Sequence, residues 1–148
     1  MIQTECHYLK KGGYVMIGNH PCKIIGISVS STGKHGHAKI KIDAIDIFTG
    51  YFFQQVYPGH ICMEVPPVSE IEYKVINFEE ICENKVCLII RNEANKDAKI
   101  IMTKKEGSES TQAKQTQIIQ KLKEGEKDLV VKVLKYDGKE QVVDWIGN

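Results

Sequence analysis

The chain has 148 residues, of which 42% are hydrophobic and 26% are charged, and its formal net charge at pH 7 is +1. This hydrophobic content is enough to build one domain or two small ones, and it argues against a disordered chain. A net charge near zero excludes a general nucleic-acid coat protein. No apolar run in the sequence is long enough to span a membrane.

Short β-strands are predicted throughout the first half of the chain. The predicted strands are 14–17, 23–30, 39–48, 51–56 and 61–65, and the turns between them are 19–21, 49–50 and 57–60. Apolar residues alternate on both sides of a central break, as Ile25, Ile27 and Val29 before it and as Ile40, Ile42 and Ala44 after it. This alternation predicts a β-hairpin. Many short strands at short spacing are typical of a small antiparallel barrel.

Pro66 and Pro67 mark the best boundary in the sequence, because two prolines interrupt strand pairing and stiffen the connection. We therefore predict two domains, residues 1–67 and residues 68–148. The first domain has six Lys and Arg residues against four Asp and Glu residues, whereas the second has fourteen against fifteen. The basic character of the chain is therefore local to the first domain.

The second domain is predicted to contain five strands and one helix. The strands are 72–78, 86–92, 99–103, 129–136 and 140–146, with a polar turn at 93–97 and a hairpin turn at Asp137 and Gly138. The helix covers 112–124, between the third strand and the fourth. This order is that of the OB-fold.

Details of the predicted helix follow from its capping residues and its apolar spacing. Ser110 or Thr111 is the expected N-cap, and the helix should end before Gly125. Its apolar positions are Ile118, Ile119 and Leu122. Trp145, close to the end of the last strand, is expected to pack against the domain and not to serve as a stacking platform.

The segment between the two hairpin strands combines glycine, lysine and histidine, and it contains no bulky apolar residue. Gly33 and Gly36 flank Lys34 without side chains that would crowd its ammonium group. A cationic, glycine-hinged projection suits a phosphate backbone in a confined place. The predicted contact residues are Thr32, Gly33, Lys34, His35, Gly36, His37 and Lys39. An ordinary solvated hairpin tip is the alternative explanation.

Other kinds of site fit this segment poorly. A P-loop requires glycine, four residues and then Gly-Lys-Ser/Thr, but Ser28 stands five positions before Gly33 and His35 follows Lys34. His35 and His37 lack the second pair of ligands that structural zinc prefers, so we predict no metal site. An exposed lysine also lacks the desolvation that a nucleophilic lysine needs, so we predict no enzymatic activity.

The sequence TGKHGHAK at residues 32–39 resembles the modification loop of the hypusine-containing translation factors, eukaryotic factor 5A and its archaeal relatives. Residues 21–24 and 45–50 resemble the strands that enter and leave this loop in the family, and residues 63–66 resemble its inter-domain junction. A match of this length between matching flanks is far more specific than a lone glycine motif. The resemblance is weak after Pro66, so no site residue is carried over to the second domain.

The resemblance implies a mainly β fold, in which an N-terminal SH3-like antiparallel barrel is followed by a C-terminal OB-fold with one helix. It implies that an NAD-dependent deoxyhypusine synthase transfers an aminobutyl group from spermidine to Lys34, and that deoxyhypusine hydroxylase then completes hypusine. No cofactor is implied beyond this modification. The expected oligomeric state is a monomer or a weak homodimer.

The function that the resemblance implies is that of a non-enzymatic translation factor. Such a factor would bind the large ribosomal subunit beside peptidyl-tRNA and promote slow peptide bonds, particularly at proline-rich sites, as well as elongation and termination. The main alternative is a general single-stranded RNA-binding protein whose OB-fold supplies the affinity. Five irregularly spaced cysteines and no secretory segment are best explained by free thiols in a reducing cytosol, so we expect a cytoplasmic location without membrane contact.

Overall fold

The computed structural model describes residues 2–31, 38–92, 94–103 and 107–147. The chain divides into two compact units, Met1–Pro67 and Val68–Asn148. Each unit is built mainly from antiparallel strands around its own hydrophobic core. The described part of the chain includes no helix that is both long enough and apolar enough to cross a membrane.

The first unit consists of β-strands and a short 3-10 helical turn at Cys6–Tyr8. The strands are β1 (Ile2–Glu5), β2 (Tyr14–Ile17), β3 (His20–Ser31), β4 (Ala38–Asp46), β5 (Phe52–Pro58) and β6 (Cys62–Val65). β2, β3, β4 and β5 form one antiparallel sheet in that order, and β1 pairs with β6. The unit has the SH3-like architecture that was predicted.

The hairpin of β3 and β4 supplies much of this unit's core. Ile40, Ile42 and Ala44 of β4 are buried, which confirms the alternation predicted for that strand. In β3 a β-bulge between Ile24 and Gly26 changes the alternation, because a bulge inserts one extra residue into a strand. Ile24 is therefore buried whereas Ile25 is exposed, so the predicted inward face of β3 was wrong at Ile25. Val29 lies opposite the buried Ile40 but is itself 64% exposed, so its predicted burial was wrong too.

Several strand boundaries in the first unit also differ from the prediction. β1 and the 3-10 turn were not predicted, and β5 continues through Pro58 where a turn was expected. The first turn lies at residues 18–19, so that His20 and Pro21 open β3. The Pro21 carbonyl accepts a hydrogen bond from the Ile47 N–H at 3.0 Å, just after the end of β4, and a proline, which has no N–H to donate, is tolerated at such a strand end.

The second unit has the strand order of an OB-fold. Its elements are β7 (Ser69–Cys82), β8 (Lys85–Arg91), β9 (Asp97–Thr103), α1 (Glu109–Lys123), β10 (Val130–Tyr136) and β11 (Lys139–Ile146). They form one antiparallel sheet in the order β11-β10-β7-β8-β9. Within the described residues, the edge strands β9 and β11 are not joined by ladder hydrogen bonds, so the sheet is curled but not closed. The predicted OB-fold with one helix is confirmed.

β7 is twice as long as the predicted strand 72–78, and it contains two bulges. The register with β8 shifts at Ile76 and again at Ile81, and both of these side chains are exposed. A bulge breaks the period of two, so an apolar residue can lie on the solvent face without ending the strand. The predicted turn at 93–97 is shifted by one residue to 92–96, because β8 ends at Arg91 and Asp97 begins β9.

α1 begins three residues earlier than the predicted helix 112–124 and ends one residue earlier, before Gly125 as expected. Ser108 is the N-cap, since its Oγ accepts a hydrogen bond from the Thr111 N–H at 3.1 Å, so the assignment of the cap to Ser110 or Thr111 was wrong. Gly125 follows the helix with φ +78, the left-handed conformation common after a helix C-terminus. The predicted apolar face is confirmed, because Ile118, Ile119 and Leu122 are all buried.

Trp145 is a packing residue, as predicted. It lies against the core of the second unit, and its Nε1 donates a hydrogen bond to Gln117 Oε1 at 2.7 Å. The Lys121 ammonium lies 4.2 Å from the centre of the indole ring. The ring therefore has neighbours from α1 on its face and at its edge, which leaves little room for a stacked base.

Candidate functional site

The predicted contact segment lies between the ends of β3 and β4. Thr32, Gly33, Lys34, His35, Gly36 and His37 lie outside the described residues, whereas Lys39 is exposed in β4. Ser31 and Ala38 are directly opposite each other in the sheet. Residues 32–37 therefore connect two paired strand ends whose positions the structure defines.

Ala38, at the exit of this segment, is held from both sides. It pairs with Ser31 on β3, and its carbonyl accepts a hydrogen bond at 2.9 Å from the N–H of Gly59, just after β5. The Gly59 carbonyl in turn accepts a hydrogen bond at 3.0 Å from the N–H of His7 in the 3-10 turn. The N-terminal turn of the chain is thus connected to the base of the predicted loop through one glycine.

Space around Gly59 explains why a glycine suits this position. A Cβ atom there would lie 3.3 Å from the Ala38 carbonyl oxygen and 3.6 Å from the Cβ of His7. Any side chain would therefore press on the loop exit or on the 3-10 turn. This contact was not predicted, since 57–60 has the sequence of an isolated turn. The only sequence signal was the Pro58-Gly59 pair itself.

Three lysines lie on the solvent face of the β2–β5 sheet. Lys39 and Lys41 alternate along β4, and the register places Lys23 of β3 on the same face. Within the described residues, no carboxylate forms an ion pair with any of the three. Asp43 lies on this face too, but its Oδ1 accepts a hydrogen bond from Gln54 Nε2 at 2.9 Å. Lys39 and Lys41 place two positive charges beside the exit of the predicted loop, and Asp43 separates them from Lys23 along this face.

The opposite end of β4 is fixed by a buried carboxylate. Asp46 is only 3% exposed, and its Oδ1 accepts hydrogen bonds from the N–H groups of Phe48 at 2.8 Å and Thr49 at 3.1 Å. Its Oδ2 accepts a hydrogen bond from His20 Nδ1 at 2.9 Å. The carboxylate therefore ends β4 two residues before the predicted end and ties the turn to the start of β3.

The thiol of Cys22 lies in the core beside this carboxylate. Burial, and next the negative charge of Asp46, raise the pKa of Cys22 from 9.0 to about 12. An unfolded chain loses this proton near its ordinary pKa, whereas the folded domain keeps it. The resulting stabilisation is complete below pH 9 and is lost as the pH rises towards 12.

We expect iodoacetamide to leave Cys22 unmodified in the native protein at pH 9, because only a thiolate reacts readily. Cys62 and Cys82 are exposed and provide controls in the same chain, whereas Cys6 and Cys87 are buried. Peptide mass spectrometry after timed alkylation measures each site. Alkylation of Cys22 at the rate of Cys62 would contradict the assigned pKa.

Several lysines of the second unit near α1 and β7 are paired with carboxylates. Lys74 pairs with Asp128 at 2.8 Å, and Lys123 pairs with Glu80 at 2.9 Å. Lys121 pairs with Glu126 at 3.3 Å as well as contacting Trp145. Among the described residues of the whole chain, no group of three or more His, Cys, Asp and Glu side chains is arranged to hold a metal ion.

An SH3-like domain followed by an OB-fold domain defines a class of two-domain β-protein, here with a lysine-bearing segment joining two strands of the first domain. Residues 2–61 match the family described as "Translation initiation factor 5A-like, N-terminal". The chain is 37% identical over 134 residues to eukaryotic translation initiation factor 5A-3 of Arabidopsis thaliana, an alignment that covers 90% of this chain and 78% of that protein. The chain belongs to the eukaryotic translation initiation factor 5A family.

Two further similarities show how the likeness is distributed. Eukaryotic translation initiation factor 5A of Dictyostelium discoideum is 47% identical over 76 residues, which cover 51% of this chain and 48% of that protein. A solved structure of a translation initiation factor eif-5a family protein from Naegleria fowleri superposes with a TM-score of 0.71 at 35% identity, covering 97% of this chain and 96% of that one. The fold is thus shared over both domains.

Proposed function

We propose that this chain is a hypusine-modified translation factor that binds the large ribosomal subunit beside peptidyl-tRNA. The observation that carries the proposal is the segment with Lys34, which has the family's modification sequence and connects the paired strand ends at Ser31 and Ala38. A translation role agrees with the names of its relatives. Modified Lys34 would extend towards the acceptor end of the tRNA.

The proposed mechanism is positioning, and the ribosome performs the chemistry. Aminobutylation lengthens the Lys34 side chain and adds a second amine, so that one slender arm has two cationic centres. Such an arm can follow an RNA backbone where a bulkier side chain would clash. Ordering the peptidyl-tRNA lowers the entropic part of the barrier to slow peptide bonds, including those at proline-rich sites, and to termination. No residue of the chain is assigned a catalytic role.

The described frame around the segment suits this role. The hydrogen bonds that join Ala38, Gly59 and His7 fix where the segment ends and β4 begins. Lys39 and Lys41 continue positive charge along β4 from that point, where they can contact phosphates without first breaking an ion pair. The hydrogen bonds at Ala38 would hold the segment in one position, and Lys39 and Lys41 would bind nearby phosphates. Together they would direct the Lys34 side chain to one place on a large RNA.

The partners implied by this proposal are the ribosome, peptidyl-tRNA, deoxyhypusine synthase and deoxyhypusine hydroxylase, all met in the cytoplasm. General single-stranded RNA binding by the OB-fold is the second candidate. It is less favoured because residues 68–148 have fourteen Lys and Arg residues against fifteen Asp and Glu residues, so that domain has no excess of positive charge. Binding driven by counterion release needs cations that are free to meet phosphates.

Mass spectrometry tests the proposal directly. The chain should be produced with and without the synthase and the hydroxylase in the presence of spermidine, and its intact mass and peptides compared. We expect a mass gain on the peptide that contains Lys34, no gain in Lys34→Arg, and an undiminished gain in Lys39→Arg. An unchanged mass, or a gain located on Lys39, would refute the proposal.

A further inference from the structure

The β3–β4 hairpin is supported from one side only near the end that carries the Lys34 segment. β2 pairs with β3 only as far as Lys23. Beyond Ile24, the described residues include no main-chain hydrogen bond to β3 other than those from β4. Val29, near the end of β3, is 64% exposed, in agreement with this one-sided support. The positions of both strand ends therefore depend on what holds β4 from its other side.

Gly59 provides the last support on that other side. The pairing of β4 with β5 ends at Lys39 and Pro58, and a proline has no N–H to donate. The next residue supplies the donor instead, since the N–H of the buried Gly59 bonds to the Ala38 carbonyl at 2.9 Å. Among the described residues, no main-chain hydrogen bond to β4 from that side lies closer to the Lys34 segment.

Gly59 is held in turn by a segment that is anchored in the core. Its carbonyl accepts a hydrogen bond at 3.0 Å from the N–H of His7, in the 3-10 turn at Cys6–Tyr8. Cys6 is 0% exposed and belongs to the core of the first unit, and its N–H bonds to the Ile61 carbonyl at 2.8 Å. β1, which precedes the turn, pairs with β6. Main-chain hydrogen bonds thus connect the core, through the turn and Gly59, to the exit of the Lys34 segment.

We propose that Gly59 is a positioning residue, which sets the direction in which the Lys34 segment leaves the domain, and that the 3-10 turn acts with it. This inference rests on the proposed function. Modification of Lys34 should be insensitive to Gly59, because the synthase has to draw the lysine into its own pocket. Ordering the peptidyl-tRNA should be sensitive, because a misplacement of about 1 Å can lower a rate by about 100-fold.

Gly59→Ala tests the proposal at the loop exit. The added Cβ would lie 3.3 Å from the Ala38 carbonyl oxygen, so one of the two must move by a few tenths of an ångström. Gly26→Ala is the matched control in the same hairpin, because there the nearest atom to the new Cβ is a side-chain oxygen of Asp43 at 3.4 Å. Both variants should be modified on Lys34 to the same extent as the native chain, as measured by mass spectrometry.

The modified proteins are then compared on purified ribosomes that translate a message with consecutive proline codons. Gly59→Ala should lower the maximal rate several-fold and leave the concentration for half-maximal effect unchanged, whereas Gly26→Ala should change neither. A merely structural role would instead raise the half-maximal concentration or lower the midpoint of urea unfolding below that of Gly26→Ala. An unchanged maximal rate, or a change confined to the half-maximal concentration, would overturn the proposal.

A second pair of variants tests the 3-10 turn without adding an atom beside Ala38. His7→Pro removes the N–H that bonds to the Gly59 carbonyl, and proline is tolerated in the first turn of a helix. His7→Ala keeps this N–H and loses the same exposed imidazole. The maximal rate should fall several-fold in His7→Pro and stay at the native value in His7→Ala. Equal rates in the two variants would show that the turn does not position the segment.

The native chain, with and without modification, is measured in the same assay. If the modified native chain is no faster than the unmodified one, the proposed function fails and this inference fails with it. If modification accelerates the native chain, and Gly59→Ala and His7→Pro are accelerated equally, only the positioning role of Gly59 fails.

Discussion

Lys34→Arg is expected to abolish the ability of this chain to support growth in cells depleted of their own factor 5A, while leaving its fold intact. Arginine keeps a positive charge but offers no primary amine to receive an aminobutyl group. Both hydrophobic cores are formed by described residues outside the segment 32–37. We therefore expect the free energy of unfolding to change by no more than about 0.5 kcal/mol.

Growth complementation and thermal unfolding should be measured together for this variant. Lys39→Arg is the matched control, since it replaces an exposed lysine of the same hairpin by the same residue. It should retain most of the growth, because a phosphate contact needs charge and not a primary amine. Full growth with Lys34→Arg would rule out a role for hypusine, whatever the chain binds.

Local pattern was sufficient to predict the elements that are long and regular. The alternation at Ile40, Ile42 and Ala44 gave a correct inward face for β4, and the spacing of Ile118 and Leu122 gave the correct face of α1. In these elements each apolar residue has one orientation that buries it. The strand order of the second domain followed from the number and sequence of its elements alone.

Sequence could not reveal features that depend on partners distant in the chain. β1 is four residues long and exists because it pairs with β6, about sixty residues later. The bulges at Ile25, Ile76 and Ile81 place isoleucines on the solvent face, although each one looks like a core residue in the sequence. Nothing local marks the extra residue, because a bulge is a property of two paired strands.

In the candidate site, too, the sequence predicted the local motif but not the contacts between distant residues. Lys34 and its neighbours were found from a contiguous motif, and they remain a prediction because they lie outside the described residues. The contacts that frame the segment were not found. Gly59 meets Ala38, and His20 meets Asp46, only after the sheet has formed. The motif therefore located Lys34 in the sequence, whereas the fold was needed to show which contacts hold the adjoining ends of β3 and β4.

Asp46→Ala is expected to destabilise the first domain by about 3 kcal/mol, a large fraction of the stability of a small domain. The carboxylate is buried and accepts hydrogen bonds from two backbone N–H groups and from His20. Alanine would leave the N–H groups of Phe48 and Thr49 without an acceptor at the turn that ends β4. Buried donors without an acceptor are costly, since they lose water as well as their partner.

Asp46→Asn is the control that separates the hydrogen bonds from the charge. Its side-chain oxygen can still accept from both backbone N–H groups, so it should recover most of the stability that alanine loses. Hydrogen exchange at the Ile42 amide under increasing denaturant measures the first domain, and the Leu88 amide in the core of the second domain should not respond. If Asp46→Asn were as unstable as Asp46→Ala, the charge and its pairing with His20 would be the source of the stability, and the N–H groups would contribute little.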